Sequence, residues 1–290
     1  MAPRLGLGGG VSADPASTLF ATNFLLDNNG DDCYGAYSLR QLASGVTNVC
    51  QCIRDSDSAT QDFTPAELTD GTLTTFGAGT QARVKTLYDQ SGNDNHATQT
   101  SLYSCPTVVL GGTAELDGNG LPWMNFDGTN DFIPLSTALP DIDIGSLSSF
   151  LVGKFDAAIT SGSGEYMLSL GTPTDTARWY APAALSSSKF NWGYGDDYDH
   201  HQETQDTNAH LFTTIAGSTQ GNWQPFVDGT SQTSKTLQTG ASAGVYGLGG
   251  VNNTTDYALN GKIQECIVFD ADKSAERTTI EADISSYYNL

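Results

Sequence analysis

The chain has 290 residues, of which 33 are acidic and 12 basic, for a formal charge of −21. No cluster of Lys or Arg is present to replace counterions along phosphates, which sets nucleic acids aside as partners and disfavours anionic membrane surfaces. Hydrophobic residues at 38% suffice for a sizeable core, whereas 16% charged residues and 32 glycines point away from helical bundles and towards short strands joined by turns.

Residues 1–22 are rich in Gly, Ala, Ser and Thr, with Arg4, Leu5, Leu7, Val11, Leu19 and Phe20 as the side chains able to anchor them. Such a segment buries too little surface to order itself. It is predicted to be a docking arm that orders against a partner, leaving 23–290 as one folded domain. It lacks the apolar stretch of roughly seven residues that forms a signal-peptide core, and no run in the chain approaches the ~18 apolar residues of a spanning helix.

Beyond the arm, Ala36, Leu39, Leu42 and Ala43 recur at three and four, which predicts a short helix over 35–44 ended by Gly45. Period-two strands are then predicted over 49–54, 83–88, 107–110, 123–126, 150–155, 166–170, 177–180, 189–194, 211–216, 224–227, 244–248 and 261–269. Asp127-Gly128 and Asp228-Gly229 are strong hairpin signals. Ile280, Ile284 and Tyr287 or Tyr288 return to helical spacing, with Ser274 as the candidate cap and Glu276 in the first turn. The sum is an all-β chain, a sandwich or barrel with one short helix near each end. The five cysteines, Cys33, Cys50, Cys52, Cys105 and Cys266, are odd in number, so at least one thiol is unpaired within the chain. They read as small apolar core residues. A zinc site from the first four lacks the usual C-x₂₋₄-C pairs.

Several motifs are recognisable. Phe226-Val227-Asp228-Gly229, Leu248-Gly249-Gly250, Gly261-Lys262-Ile263-Gln264-Glu265 and the closing helix resemble the laminin G-like, concanavalin A-like jelly-roll sandwich of two antiparallel sheets. Ala36-Tyr37-Ser38-Leu39-Arg40, Ile53-Arg54-Asp55-Ser56-Asp57, the run from Tyr88 to Gln99, and Phe126-Asp127-Gly128-Thr129-Asn130-Asp131 resemble lectin-like domains of tailed-phage virion proteins. They are also similar to the catalytic domain of fungal α-L-arabinofuranosidases. The phage resemblance implies a non-catalytic virion-surface protein, made in the host cytoplasm, that attaches to host polysaccharide or decorates the capsid. Its arm would bind other virion subunits, and a homotrimer is the expected assembly. Free thiols fit synthesis in a reducing compartment. The arabinofuranosidase resemblance implies a glycosidase, but it places the catalytic acid after Gly249-Gly250, where this chain has Val251. Glu203 is the only Glu in the region corresponding to the nucleophile.

The densest polar constellation is Trp192, Tyr194, Asp196, Asp197, Tyr198, Asp199, His200, His201 and Glu203. Aromatic faces suit sugar rings, and carboxylates accept from hydroxyls or coordinate calcium. The competing reading is a solvated acidic loop between two strands. If the segment were a strand, His200 and His201 would face opposite ways, which disfavours a shared zinc ion. Asp89, Ser91 and His96 tempt a triad reading, but Asp89, Asn93 and Asn95 read better as residues that bond their own backbone to fix a long turn.

Overall fold

The computed structural model describes residues 24–135, 142–143, 147–157, 164–171, 178–184, 189–194, 197–216, 222–233, 235–236, 241–242, 246–251 and 257–290. The arm residues Arg4, Leu5, Leu7, Val11, Leu19 and Phe20 lie outside the described residues. The described residues form a β-sandwich of jelly-roll type. The larger sheet runs, by strand neighbours, Thr230–Ser231, Asn222–Val227, His210–Ala216, Ser148–Phe155, Asn260–Phe269, Met124–Asp127, Thr107–Leu110, Ala82–Leu87, Cys50–Arg54 and Thr60–Phe63. The smaller runs Asp197–Thr204, Lys189–Tyr194, Arg178–Ala184, Leu168–Gly171, Tyr246–Leu248 and Ile133–Leu135. Adjacent strands in both sheets are antiparallel.

Apolar residues at alternate positions decide which face each strand buries. Leu151, Phe155, Phe212, Ile263 and Val268 of the larger sheet pack against Ile133, Leu168, Phe190, Trp192 and Leu248 of the smaller one. The opposite face of the larger sheet is also apolar in its middle. There Phe150, Val152, Leu211, Ile267 and Phe269 meet Leu25 and Leu26 of the helix Leu25–Asn29 and Ile280, Ile284 and Tyr288 of the helix Arg277–Tyr288. The terminal helix thus closes a second, outer core, as its spacing predicted. Its cap differs: Glu276 takes that position, while the Ser274 amide donates to Asp272 Oδ1 at 2.9 Å.

The helix expected over 35–44 is not formed. Cys33–Ser38 is a strand that pairs with Asn260–Phe269, from Cys33 opposite Phe269 to Ser38 opposite Glu265. Helical coiling would leave that half of the ten-residue strand without a ladder partner. Leu39 enters the inner core and Leu42 the outer one, so their three-residue spacing records burial on two sides of a sheet rather than one helical face. The Leu-Gly-Gly signal also has a steric cause. Gly249 has φ +86°, and a Cβ there would lie 2.2 Å from the Phe126 ring.

Candidate functional site

The Tyr88–Gln99 run proves to be a staple. Asp89 Oδ1 accepts from the amides of Ala36 at 2.9 Å and Ser91 at 3.0 Å, and Oδ2 from Ser91 Oγ at 2.7 Å and the Asn95 amide at 3.0 Å. Asp89 therefore does fix its own turn, but Asn93 and Asn95 reach elsewhere. Asn93 Nδ2 donates to the Cys33 carbonyl at 2.8 Å and Asn95 Nδ2 to the Tyr34 carbonyl at 3.0 Å. Gln90 holds the loop after that strand, accepting from the Leu42 amide at 2.7 Å and donating to the Arg40 carbonyl at 2.9 Å. His96 Nδ1 accepts the Asp89 amide at 3.2 Å, while the Ser91 hydroxyl is given to Asp89. Asp89→Ala is expected to lower the unfolding free energy by about 2–4 kcal/mol in urea titration, because four donors lose a charged acceptor at once. An unchanged midpoint would show that the staple adds nothing.

The other motifs converge on a second structural centre. Arg40 Nε donates to Glu265 Oε2 at 2.7 Å and Nη2 to Oε1 at 3.1 Å, both side chains being buried. Ser38 Oγ at 2.8 Å and Tyr288 OH at 3.0 Å donate to the same Oε2. Arg40 also meets Asp283 Oδ1 at 2.8 Å and stacks over the Tyr287 ring at 4.8 Å. Strand, sheet centre and terminal helix are joined at this one carboxylate. Arg54 forks onto Asp57, and Arg83 meets Asp55 at 3.0 Å, so the Ile53–Asp57 motif is likewise spent on structure.

The acidic-aromatic segment is a strand, not a loop. Asp197–Thr204 forms the edge of the smaller sheet, with Asp197, Tyr198, Asp199 and His200 opposite Tyr194, Gly193, Trp192 and Asn191. His200 and His201 are successive positions of this strand. Asp196 and the side chains of Tyr194, Asp197, Tyr198, Asp199, His200, His201 and Glu203 lie outside the described residues. Trp192 requires a correction. It is 1% exposed, its indole nitrogen donates to Thr214 Oγ1 at 2.9 Å, and its ring packs in the core near Phe212. A ring enclosed in this way offers no face to a sugar; strand alternation turned it inward.

Two carboxyls to which the sequence assigned no chemistry, Asp131 and Glu165, titrate near neutrality. Burial, and then the charge of Asp127, push Asp131 up to about 7; burial pushes Glu165 up to about 7. Asp131 Oδ2 accepts the Asp127 amide and Glu165 Oε2 the Asn260 amide, each at 3.0 Å, and Asp127 and Asn260 are cross-strand partners. Asp131 is 1% exposed, and its Oδ1 has no hydrogen-bond partner among the described residues. It is enclosed, whereas Glu165 is only partly buried and can present a proton at neutral pH. Asp131 closes the Phe126–Asp131 motif and Glu165 belongs to none, but the raised pKa of neither is marked in the sequence, because both shifts come first from tertiary burial. At the position where the resemblance places an acid, Val251 is 4% exposed and packs with Tyr166 and Tyr257, whose rings stack at 4.7 Å.

All five cysteines are buried free thiols, in line with the core reading. Burial raises the thiols of Cys33, Cys105 and Cys266, which removes thiolate character. Among the described residues no group of three or more His, Cys, Asp or Glu is placed to hold a metal.

A further polar bracket lies at the start of the His210–Ala216 strand. His210 Nδ1 meets Asp228 Oδ2 at 2.7 Å and Nε2 meets Asp206 Oδ1 at 2.9 Å. Burial opposes its charge, but hydrogen bonds to the two carboxylates raise its pKa above the ordinary histidine value. The bracket ties the 206–210 turn to the 228 hairpin.

No protein-family model and no curated protein matches this sequence. Solved structures do match in fold. A GH54 α-L-arabinofuranosidase soaked with a cyclic sulfate inhibitor aligns with TM-score 0.64 and 14% identity, over 89% of this chain and 64% of that one. An arabinofuranosidase complexed with arabinofuranosyl-α-1,2-xylobiose aligns with TM-score 0.57 and 17% identity, over the same shares of the two chains. The present chain thus spans 64% of the length of those structures. At these identities the likeness establishes the architecture alone, a β-sandwich shared with these arabinofuranosidase structures.

Proposed function

We propose that this chain is a non-hydrolytic carbohydrate-binding sandwich carried on the surface of a tailed-phage particle. The observation that supports the non-hydrolytic reading is Val251: an enclosed valine cannot protonate a leaving group, and loss of a general acid costs a factor of roughly 10²–10⁴. The shared architecture with arabinofuranosidases supports carbohydrate as the ligand class. The sequence motifs support the virion placement, with residues 1–22 mooring a homotrimer to neighbouring capsid or tail subunits. Host-surface polysaccharide is the partner, and calcium is the candidate ion for the 196–203 segment. A glycosidase is the second reading, favoured by the near-neutral carboxyl of Glu165.

Incubation with 4-nitrophenyl α-L-arabinofuranoside discriminates the two. No release of 4-nitrophenol is expected, alongside retained binding on a glycan array. Release that is abolished in Glu165→Gln would establish the enzyme instead. Deleting residues 1–22 is expected to abolish incorporation into particles while leaving the fold intact; continued incorporation would refute the mooring role.

A further inference from the structure

The terminal helix Arg277–Tyr288 does not cover the whole outer face of the larger sheet. Next to its end lies an open groove of about 420 Å³, floored by Lys154, Lys262 and Gln264 and walled by residues 116–119, 207–209 and 288–290. Lys154 and Lys262 stand directly opposite each other on paired strands, an arrangement that repels unless compensated. Asp156 compensates the first at 3.1 Å and Glu115 the second at 2.5 Å. An ammonium group has three donors, so each lysine retains donors beyond its one carboxylate. Gln264 Nε2 is turned towards Asp117 Oδ2 at 3.3 Å. The edges are apolar, with Leu116 at 42% and Leu290 at 39% exposure. The wall at Thr207–Ala209 is fixed in advance: the Asn208 amide and Nδ2 each reach Asp206 at 2.8 Å, and Asp206 is held by His210.

Donors and acceptors alternate here between apolar edges, and the lysine charges are matched by carboxylates. An anion would meet Asp117 and two lysines already paired with carboxylates, and a purely apolar molecule would strand the lysines. Sugar hydroxyls both give and accept, and a sugar ring has an apolar C–H face. From this juxtaposition we infer that the groove is a binding site for a neutral oligosaccharide, separate from the 192–203 segment on the smaller sheet. The inference rests on the carbohydrate-binding reading above and adds the place and the ligand class.

The test probes the full chain, and its Ala209→Trp and Lys154→Gln variants, on an array of neutral gluco-, galacto-, arabino- and xylo-oligosaccharides together with uronate-containing ones. Ala209→Trp fills the groove from its wall; Lys154→Gln alters only a partly exposed floor side chain and guards against a folding failure. Neutral spots on the parent chain, weakened at least tenfold in both variants with unchanged Tm, are the expected result. Neutral binding that survives both variants would overturn the groove while leaving the carbohydrate reading in place. Binding confined to uronates would overturn the ligand class, and a parent chain that binds no sugar would overturn both readings.

Discussion

Replacing Arg40 by Met is expected to lower the unfolding free energy by about 3–5 kcal/mol, the usual cost of removing one partner from a buried ion pair. For a chain of this size that corresponds to a fall in Tm of roughly 10 °C. The residue left behind, Glu265, is 0% exposed and would keep only the hydroxyls of Ser38 and Tyr288 as donors. The double variant Arg40→Met/Glu265→Gln separates the pair from its surroundings: recovery of a large part of the loss is expected, because the uncompensated buried charge is then gone. Additive losses in the double variant would show that the two side chains act independently and that the join between helix and sheet rests on other contacts.

Asp131→Asn is expected to act in the opposite direction and to depend on pH. Burial and the nearby Asp127 charge hold the folded carboxyl at about 7 against an ordinary value of 3.8. Between those two pH values the folded chain keeps a proton that the unfolded chain has released. Stability therefore falls as pH rises through this window, by about 1.4 kcal/mol per pH unit, and the loss is complete above the folded pKa. Asparagine can still accept the Asp127 amide and carries no charge. Urea unfolding should show the variant more stable than the parent by about 2–4 kcal/mol at pH 8 and by little at pH 4. Glu165 contributes a slope of the same sign to both proteins, so it cancels in the comparison. An equal difference at both pH values would exclude the carboxyl as the cause.

Several motifs that looked distinctive in the sequence turned out to be engaged in holding the fold. Asp89, Gln90, Asn93 and Asn95 hold the Cys33–Ser38 strand and the loop after it, and the Glu of Gly261–Glu265 receives the Arg of Ala36–Arg40 across 225 positions of sequence. Each motif is short because the geometry it serves is local, yet its partner is remote. A reading of the chain could see both halves of such a pair without seeing that they meet. The same gap explains Trp192, which stands just before the acidic run Asp196-Asp197 in sequence and whose neighbours in space are Phe212 and the rest of the inner core. It also explains Glu165 and Asp131, whose raised pKa values are properties of burial and leave no mark on residue order.

The sequence by itself determined the all-β class, the positions of most of the twelve strands it predicted to within a residue or two, and the apolar stripe of the terminal helix. These follow from period-two and near-period-four alternation and from glycine-bearing turns, which act between residues a few positions apart. Only the tertiary structure decided that residues 33–38 extend rather than coil, that 197–204 form a sheet edge, and where a groove stays open on the outer face. Those outcomes depend on which strand edge is free and how far the last helix reaches, and both are set by residues distant in the chain.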